Sequence, residues 1–147
     1  LFEIIVKYFP NFKDERIYND KKVYFYKLAQ LLTSDILHIR EQKEKIKVDY
    51  SHLVGCSDYK IPQVMRGLGI LEYSDKLSNI IDNKKEIEVN SEYEVEIRAN
   101  MLVAIDLIKK KLENKVCAID INDYIWSQGR NKTIELKPYH LTRNTNY

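Results

Sequence analysis

The chain has 147 residues, which suits one domain, and its 44% hydrophobic and 31% charged content supports a packed core and excludes a disordered chain. With 4 Gly and 3 Pro it lacks the turn residues of a sandwich or barrel; the apolar spacing is mostly helical and predicts an all-α fold in a single helical domain over residues 1–147. A net charge of +2 is too small to mark a nucleic-acid-binding face, and no apolar run is long enough to span a membrane.

In chain order, Leu1 to Phe9 reads as an apolar helix closed by Pro10 and Asn11, followed by a charged connector from Lys13 to Lys22 with an Asn19-Asp20 turn. Val23 to Glu41 is predicted as a long helix, apolar around most of its circumference and therefore central. Asp35 would then be a buried carboxylate in need of a polar cavity or a partner. Tyr50 to Val54 reads as a short helical turn ending at Gly55.

The stretch Ser57-Asp58-Tyr59-Lys60-Ile61-Pro62-Gln63 crowds an acid, a phenol, a cation and an amide at the mouth of an apolar helix that ends at Gly67 and Gly69. Pro62 falls in the first helical turn, where its missing N–H is harmless. So dense a polar cluster seldom serves packing alone and marks a candidate site. Ser74 is a good N-cap for a short helix through Ile81. Ser91-Glu92-Tyr93-Glu94 fits a capping box that opens a long helix to about Asn114. On that helix Arg98 lies one turn after Glu94 and one turn before Leu102, so it either closes the domain as an ion pair or faces a cleft.

Asp120 is predicted to cap a last helix from Ile121 to about Gln128, carrying Asp123, Tyr124 and Trp126 and ended by Gly129. The tail from Pro138 carries His140, Arg143 and Tyr147 and is either frayed or folded back over a site. Cys56 and Cys117 lack CxxC spacing and read as free thiols of a reducing cytoplasm, with a buried Cys56 favoured over a nucleophilic one. His38, His52 and His140 are scattered, so no metal site is expected. The lysines at 43, 45 and 47 and at 109–111 read as solvated helix ends.

Four segments taken together resemble the queuosine salvage protein family, the queuosine 5′-phosphate N-glycosylases. They are Val23-Tyr24-Phe25-Tyr26-Lys27-Leu28-Ala29-Gln30, Ser57 to Ser74, Glu94-Val95-Glu96-Ile97-Arg98, and Asp123-Tyr124-Ile125-Trp126 with the His140 to Tyr147 tail. Lys60 stands where the family pattern has Arg, and Ser57 where it has Ala. The resemblance implies that the chain is the C-terminal portion of a longer family chain, with a fold similar to helix-hairpin-helix DNA glycosylases. The implied activity is hydrolysis of the N-glycosidic bond of queuosine 5′-monophosphate, without cofactor.

Within that resemblance Asp58 and Asp123 are the catalytic candidates, one facing the sugar and the other reading the base, with Asp58 assigned first to the sugar. Tyr59, Lys60, Arg98, Tyr124, Trp126, His140 and Arg143 are the substrate-binding candidates, although Trp126 reads equally as core. Lys27 and Asp35 are supporting guesses. The competing readings are a helix-hairpin-helix nucleic-acid-binding or DNA glycosylase-like module, which the near-neutral charge disfavours, and a non-catalytic helical interaction module.

Overall fold

The computed structural model describes residues 1–130 and 134–147. Among these the chain forms six α-helices and one β-hairpin: α1 Phe2–Tyr8, β1 Glu15–Tyr18, β2 Lys21–Tyr24, α2 Lys27–Glu44, α3 Lys60–Gly67, α4 Asp75–Asp82, α5 Glu92–Lys111 and α6 Ala118–Gln128. A short 3₁₀ turn at Pro10–Phe12 follows α1.

The hairpin corrects the all-α expectation. Asn19 and Asp20 both take positive φ (48° and 59°), the mirror-image turn geometry that follows the twist of paired strands. The strands pair antiparallel, with Tyr18 opposite Lys21 and Arg16 opposite Val23. Val23 and Tyr24 therefore belong to a strand, and α2 starts at Lys27. The apolar and aromatic run Val23–Tyr26 mimics helical periodicity, yet its β-branched and aromatic residues also suit a pleated edge.

Nor is α2 buried all round: Leu31, Leu32 and Ile39 are exposed, and Asp35 lies on the solvent side, where it needs no partner. Residues 50–54 form a turn closed by Leu53 N–H on the Tyr50 carbonyl, not a helix. At the other end of the chain α6 begins three residues before the expected start, with Asp120 inside its first turn.

The main core lies among α3, α5 and α6, where Ile61, Val64 and Met65 meet Met101, Ala104 and Ile105 and, from α6, Ala118, Ile121 and Ile125. Each large aliphatic buried this way contributes roughly 1.5–3 kcal/mol. A second cluster joins α4 to α5 through Leu77, Ile81, Ile87 and Ile97. Gly129 closes α6 at φ −63°, not in the left-handed region. Its role is spatial: a Cβ there would sit 2.8 Å from Lys60 Cε and from Val64 Cγ2, so glycine lets α6 end against α3.

A buried charge network ties the hairpin, α5 and the tail together. Arg98 is fully buried. Its Nη1 donates to Asp14 Oδ1 and to Glu94 Oε1, both at 3.0 Å, its Nη2 donates to Asp14 Oδ2, and its Nε donates to the Ser57 carbonyl at 2.9 Å. Arg16 Nε donates to Glu94 Oε2 at 2.9 Å. The Arg98 guanidinium is sandwiched between the rings of Phe25 and Tyr147, 4.1 and 4.2 Å from their centroids. Burial pushes the Glu94 carboxyl up, but Arg16 and Arg98 more than offset this and hold it below the usual value.

Ser91 caps α5 as expected, its Oγ accepting from Glu94 N–H at 3.3 Å. The Glu94 side chain does not complete a reciprocal box; it accepts instead from Asn90 N–H and the two arginines. The tail is folded back: Leu141 O accepts from Ile87 N–H at 2.7 Å, and Tyr147 Oη donates to Glu94 Oε1 at 3.1 Å.

Replacing Arg98 by Met takes one arginine partner from buried Asp14 and Glu94 and leaves Arg16 as the other. Urea unfolding of Arg98→Met is expected to show a loss of about 3–5 kcal/mol.

Candidate functional site

The site begins with the N-terminus of α3. Asp58 precedes the helix, and its Oδ1 accepts from the N–H groups of Lys60 at 2.8 Å and Ile61 at 2.9 Å, filling two donor positions that a helix start leaves open. One carboxylate oxygen is thereby fixed. The other, Oδ2, lies 3.9 Å from Lys27 Nζ at the first turn of α2. Burial raises the Asp58 carboxyl above its ordinary value, only partly offset by the Ile61 N–H, the Lys27 charge and the Lys60 N–H.

Lys27 and Asp58 are placed by the same pair of residues. Asp14 Oδ2 accepts from Lys27 N–H at 3.2 Å, while its backbone carbonyl accepts from the N–H groups of Phe25 and Tyr26. Tyr26, at φ 49°, turns the chain from β2 into α2. Arg98, bound to Asp14, reaches the Ser57 carbonyl, and Ser57 Oγ donates back to the Arg98 carbonyl at 3.0 Å.

Residues 54–56 run between α2 and α6. Gln30 Oε1 accepts from the N–H groups of Val54 and Gly55, and Asn122 Oδ1 accepts from Cys56 N–H at 2.9 Å. Gly55 has φ 120°, and a Cβ there would meet Ile105 Cδ1 at 2.9 Å, so both backbone and space require glycine.

These segments enclose a cleft of ≈ 490 Å³ lined by Lys27, Leu31, Cys56, Asp58, Asn122, Asp123, Trp126 and Ser127. It unites the two catalytic candidates, Asp58 and Asp123, with the aromatic candidate Trp126. Trp126 is 40% exposed, so its ring is a cleft wall rather than core, and Arg130 stacks on it at 4.2 Å. Larger surface hollows exist, one of ≈ 620 Å³ near Tyr50 and Asp120, but Asp58 lines this cleft and not that one.

The other sequence candidates lie outside this lining. Arg98 is buried with its donors engaged by protein groups, so it positions the site and is not free for substrate. Lys60 Nζ donates to Gln63 Oε1 at 2.8 Å, and the Tyr59 ring packs on Tyr139 at 4.7 Å. Tyr124 is 65% exposed on α6. Arg143 projects into solvent and pairs with Glu86 at 3.2 Å. His140 is buried; its Nε2 meets Tyr147 Oη at 3.3 Å, and its Nδ1 has no partner among the described residues. Cys56 is also buried, and burial pushes its thiol up to about 12, which removes it as a nucleophile at neutral pH.

Sequence reasoning missed Asp14, Arg16 and Asn122. Asp14 and Arg16 are two residues apart, the spacing of one strand face, and Asn122 is an amide on a helix face otherwise filled by Ile121 and Ile125; both were available signals. Among the described residues no three His, Cys, Asp or Glu side chains gather to hold a metal, and no helix is long and apolar enough to cross a membrane.

Fold and cleft together define a mainly helical protein with a cleft, assembled from α2, the start of α3, and α6, that carries both Asp58 and Asp123. The chain belongs to the queuosine salvage protein family, whose profile it matches over residues 1–147. It is 34% identical over 146 residues to a queuosine 5′-phosphate N-glycosylase/hydrolase of Dictyostelium discoideum, covering 97% of this chain and 46% of that protein. It is 33% identical to the protein of the same name from Sphaerobacter thermophilus, covering 100% of this chain and 47% of that protein. The Mus musculus protein of that name is 31% identical, with 97% and 46% covered. The chain thus spans about half the length of the curated relatives it matches.

Two stability measurements test this description. Because the Asp58 carboxyl is raised in the folded state, the native protein holds that proton to higher pH than the unfolded chain does, and ionising it lowers stability as pH rises through the carboxylate range. Asp58→Asn keeps an acceptor for the two N–H groups and removes the buried charge. At pH 7 it is expected to unfold no earlier than the wild type, whereas Asp58→Ala loses about 0.5–2 kcal/mol with the cap.

His140 has the opposite sense. Burial lowers it from 6.5 to about 4, so below pH 6.5 the unfolded chain takes the proton first. Stability is expected to fall by about 1.4 kcal/mol per pH unit from pH 6.5 toward pH 4. In His140→Gln this part of the pH dependence should disappear from urea midpoints.

Proposed function

We propose that the protein containing this chain hydrolyses the N-glycosidic bond of queuosine 5′-monophosphate and releases queuine for salvage into tRNA. The observation that carries the reading is one cleft shared by Asp58, Asp123, Lys27 and Trp126, in a chain whose family and curated relatives bear that name.

The chemistry explains the need for such a cleft. Queuine is a 7-deazaguanine, with carbon where guanine has N7, so the leaving base cannot be activated by protonation there. The C1′–N9 bond breaks with its electron pair leaving on the base, and positive charge develops on the sugar. A water oxygen then bonds to C1′, its proton passes to a nearby base, and N9 of queuine is protonated. Asp58 Oδ2 faces the sugar, stabilises the oxocarbenium-like centre and orients the water. Its partner Oδ1 is tied to α3, so the reactive oxygen needs little reorganisation. Lys27 steadies the Asp58 charge and meets the substrate's anionic oxygens. Asp123 accepts from donors on the base, and Trp126, with Tyr124 at the mouth, packs against its flat ring. Tyr59, Lys60 and Arg143 belong to no step of this scheme as they stand, and Arg98 and His140 act by holding the fold.

The α3 to α4 segment, with Gly69 at φ 71° between the helices, is in keeping with a helix-hairpin-helix likeness, and we read residues 1–147 as one domain. We place the protein in the cytoplasm, in line with its two free cysteines, with a nucleotide rather than a nucleic acid as its partner.

The test is incubation of the full-length protein with queuosine 5′-monophosphate and detection of free queuine by mass spectrometry. Release is expected, with Asp58→Asn slower by at least about 100-fold. No release from the nucleotide, with base release from a DNA substrate instead, would reassign the activity. Wild-type rates in Asp58→Asn would remove Asp58 from the chemistry.

A further inference from the structure

Asn122 is a poor choice for its position unless it has a task. It sits in the interior of α6, 4% exposed, among buried Ile119, Ile121 and Ile125. Asparagine is an unfavourable helix residue, and a buried amide must find partners for both ends. Here it has two. Oδ1 accepts from Cys56 N–H at 2.9 Å, and Nδ2 donates to Asp123 Oδ1 at 3.0 Å. The orientation of the amide follows from Cys56: a backbone N–H only donates, so Oδ1 faces it and Nδ2 is left for Asp123.

The amide is therefore a strut of fixed polarity. At one end is the segment two residues before Asp58; at the other is Asp123, an exposed side chain that would otherwise exchange rotamers freely. Asp58 is pinned through Oδ1 by α3, and Asp123 through Oδ1 by Asn122. These bonds use one oxygen of each carboxylate, and both residues line the cleft.

We propose that Asn122 is a positioning residue that holds the Asp123 carboxylate in one orientation toward the cleft and in fixed relation to Asp58. The inference rests on the reading of the cleft as a nucleotide hydrolase site, but its central claim, a single Asp123 orientation imposed by the Asn122 amide, is independent of the substrate.

Two measurements on the full-length protein test it. The first is NMR of the Asp123 side-chain χ1 couplings. One rotamer is expected in the wild type and rotamer averaging in Asn122→Ala. Should the alanine variant fail to fold, Asn122→Asp keeps an acceptor for Cys56 N–H while withholding the donor from Asp123, and averaging is expected there too. A single unchanged rotamer in the variant overturns the proposal, whether or not queuosine 5′-monophosphate is the substrate.

The second is a double-mutant cycle on queuine release. Asn122→Ala is expected to lower kcat at least 10-fold with KM changed less than threefold, and to cost nothing further in an Asp123→Ala background. Equal factors in both backgrounds would mean a merely structural role and would sink the proposal. Absence of queuine release from the wild type would instead count against the functional reading, leaving the rotamer measurement to decide the strut.

Discussion

The structure depends on one ion pair, Arg98 with Asp14. It is buried, so each charge is tolerable only because the other is there and because further groups satisfy the remaining donors and acceptors. Asp14 belongs to the run into β1, and Arg98 to the second turn of α5. Joining them brings the hairpin onto the long helix, sets the first N–H of α2, and turns the guanidinium Nε toward the Ser57 carbonyl. The distance between Lys27 and Asp58 in the cleft is thus set by an interaction that never touches the cleft.

This arrangement explains why polar groups are so plentiful inside a small domain. Glu94 gathers Arg16, Arg98, Asn90 N–H and Tyr147 onto one carboxylate. The aromatic rings of Phe25 and Tyr147 cover the guanidinium on both faces, keeping water from competing for it. Next to this charge, His140 stays neutral: the low local dielectric and the neighbouring Arg98 both oppose a second cation, against the pull of Glu94. Hydrophobic packing among α3, α5 and α6 supplies most of the driving force, while the charge network fixes which loop meets which helix.

How much of this the sequence disclosed varied with the range of the interaction. Local signals read well. Ser74 and Ser91 cap their helices as their spacing implies, and α1, α3 and α4 lie close to their expected spans. Asp58 stood out because its neighbours are polar, and its cap contacts to Lys60 and Ile61 are themselves local. The hairpin was hidden because Val23–Tyr26 satisfies helical and strand patterns alike, and because Asn19-Asp20 signals a turn without saying what it joins. The charge network was unreadable for a different reason: Asp14 and Arg98 are 84 residues apart, and nothing in either segment names the other. Arg98 looked available to a ligand only while its partner was unknown. The tail had two readings, and the half-buried Tyr147, bonded to Glu94 and packed on Arg98, decides for the folded one.

Asp58 is the starting block of a helix and, by its second oxygen, a wall of the cleft. On the proposed reaction, structure and chemistry fall on one residue, and they ask for different things. The helix needs only a short side chain that accepts hydrogen bonds, which Asn, Ser or Thr supplies; the proposed hydrolysis needs a negative charge. A descendant that drifted to one of those residues would keep its backbone, its core and its overall resemblance, and nothing in its shape would betray the change. Among chains of this fold, kinship and competence can part company at a single atom, and residue 58 is where to look first.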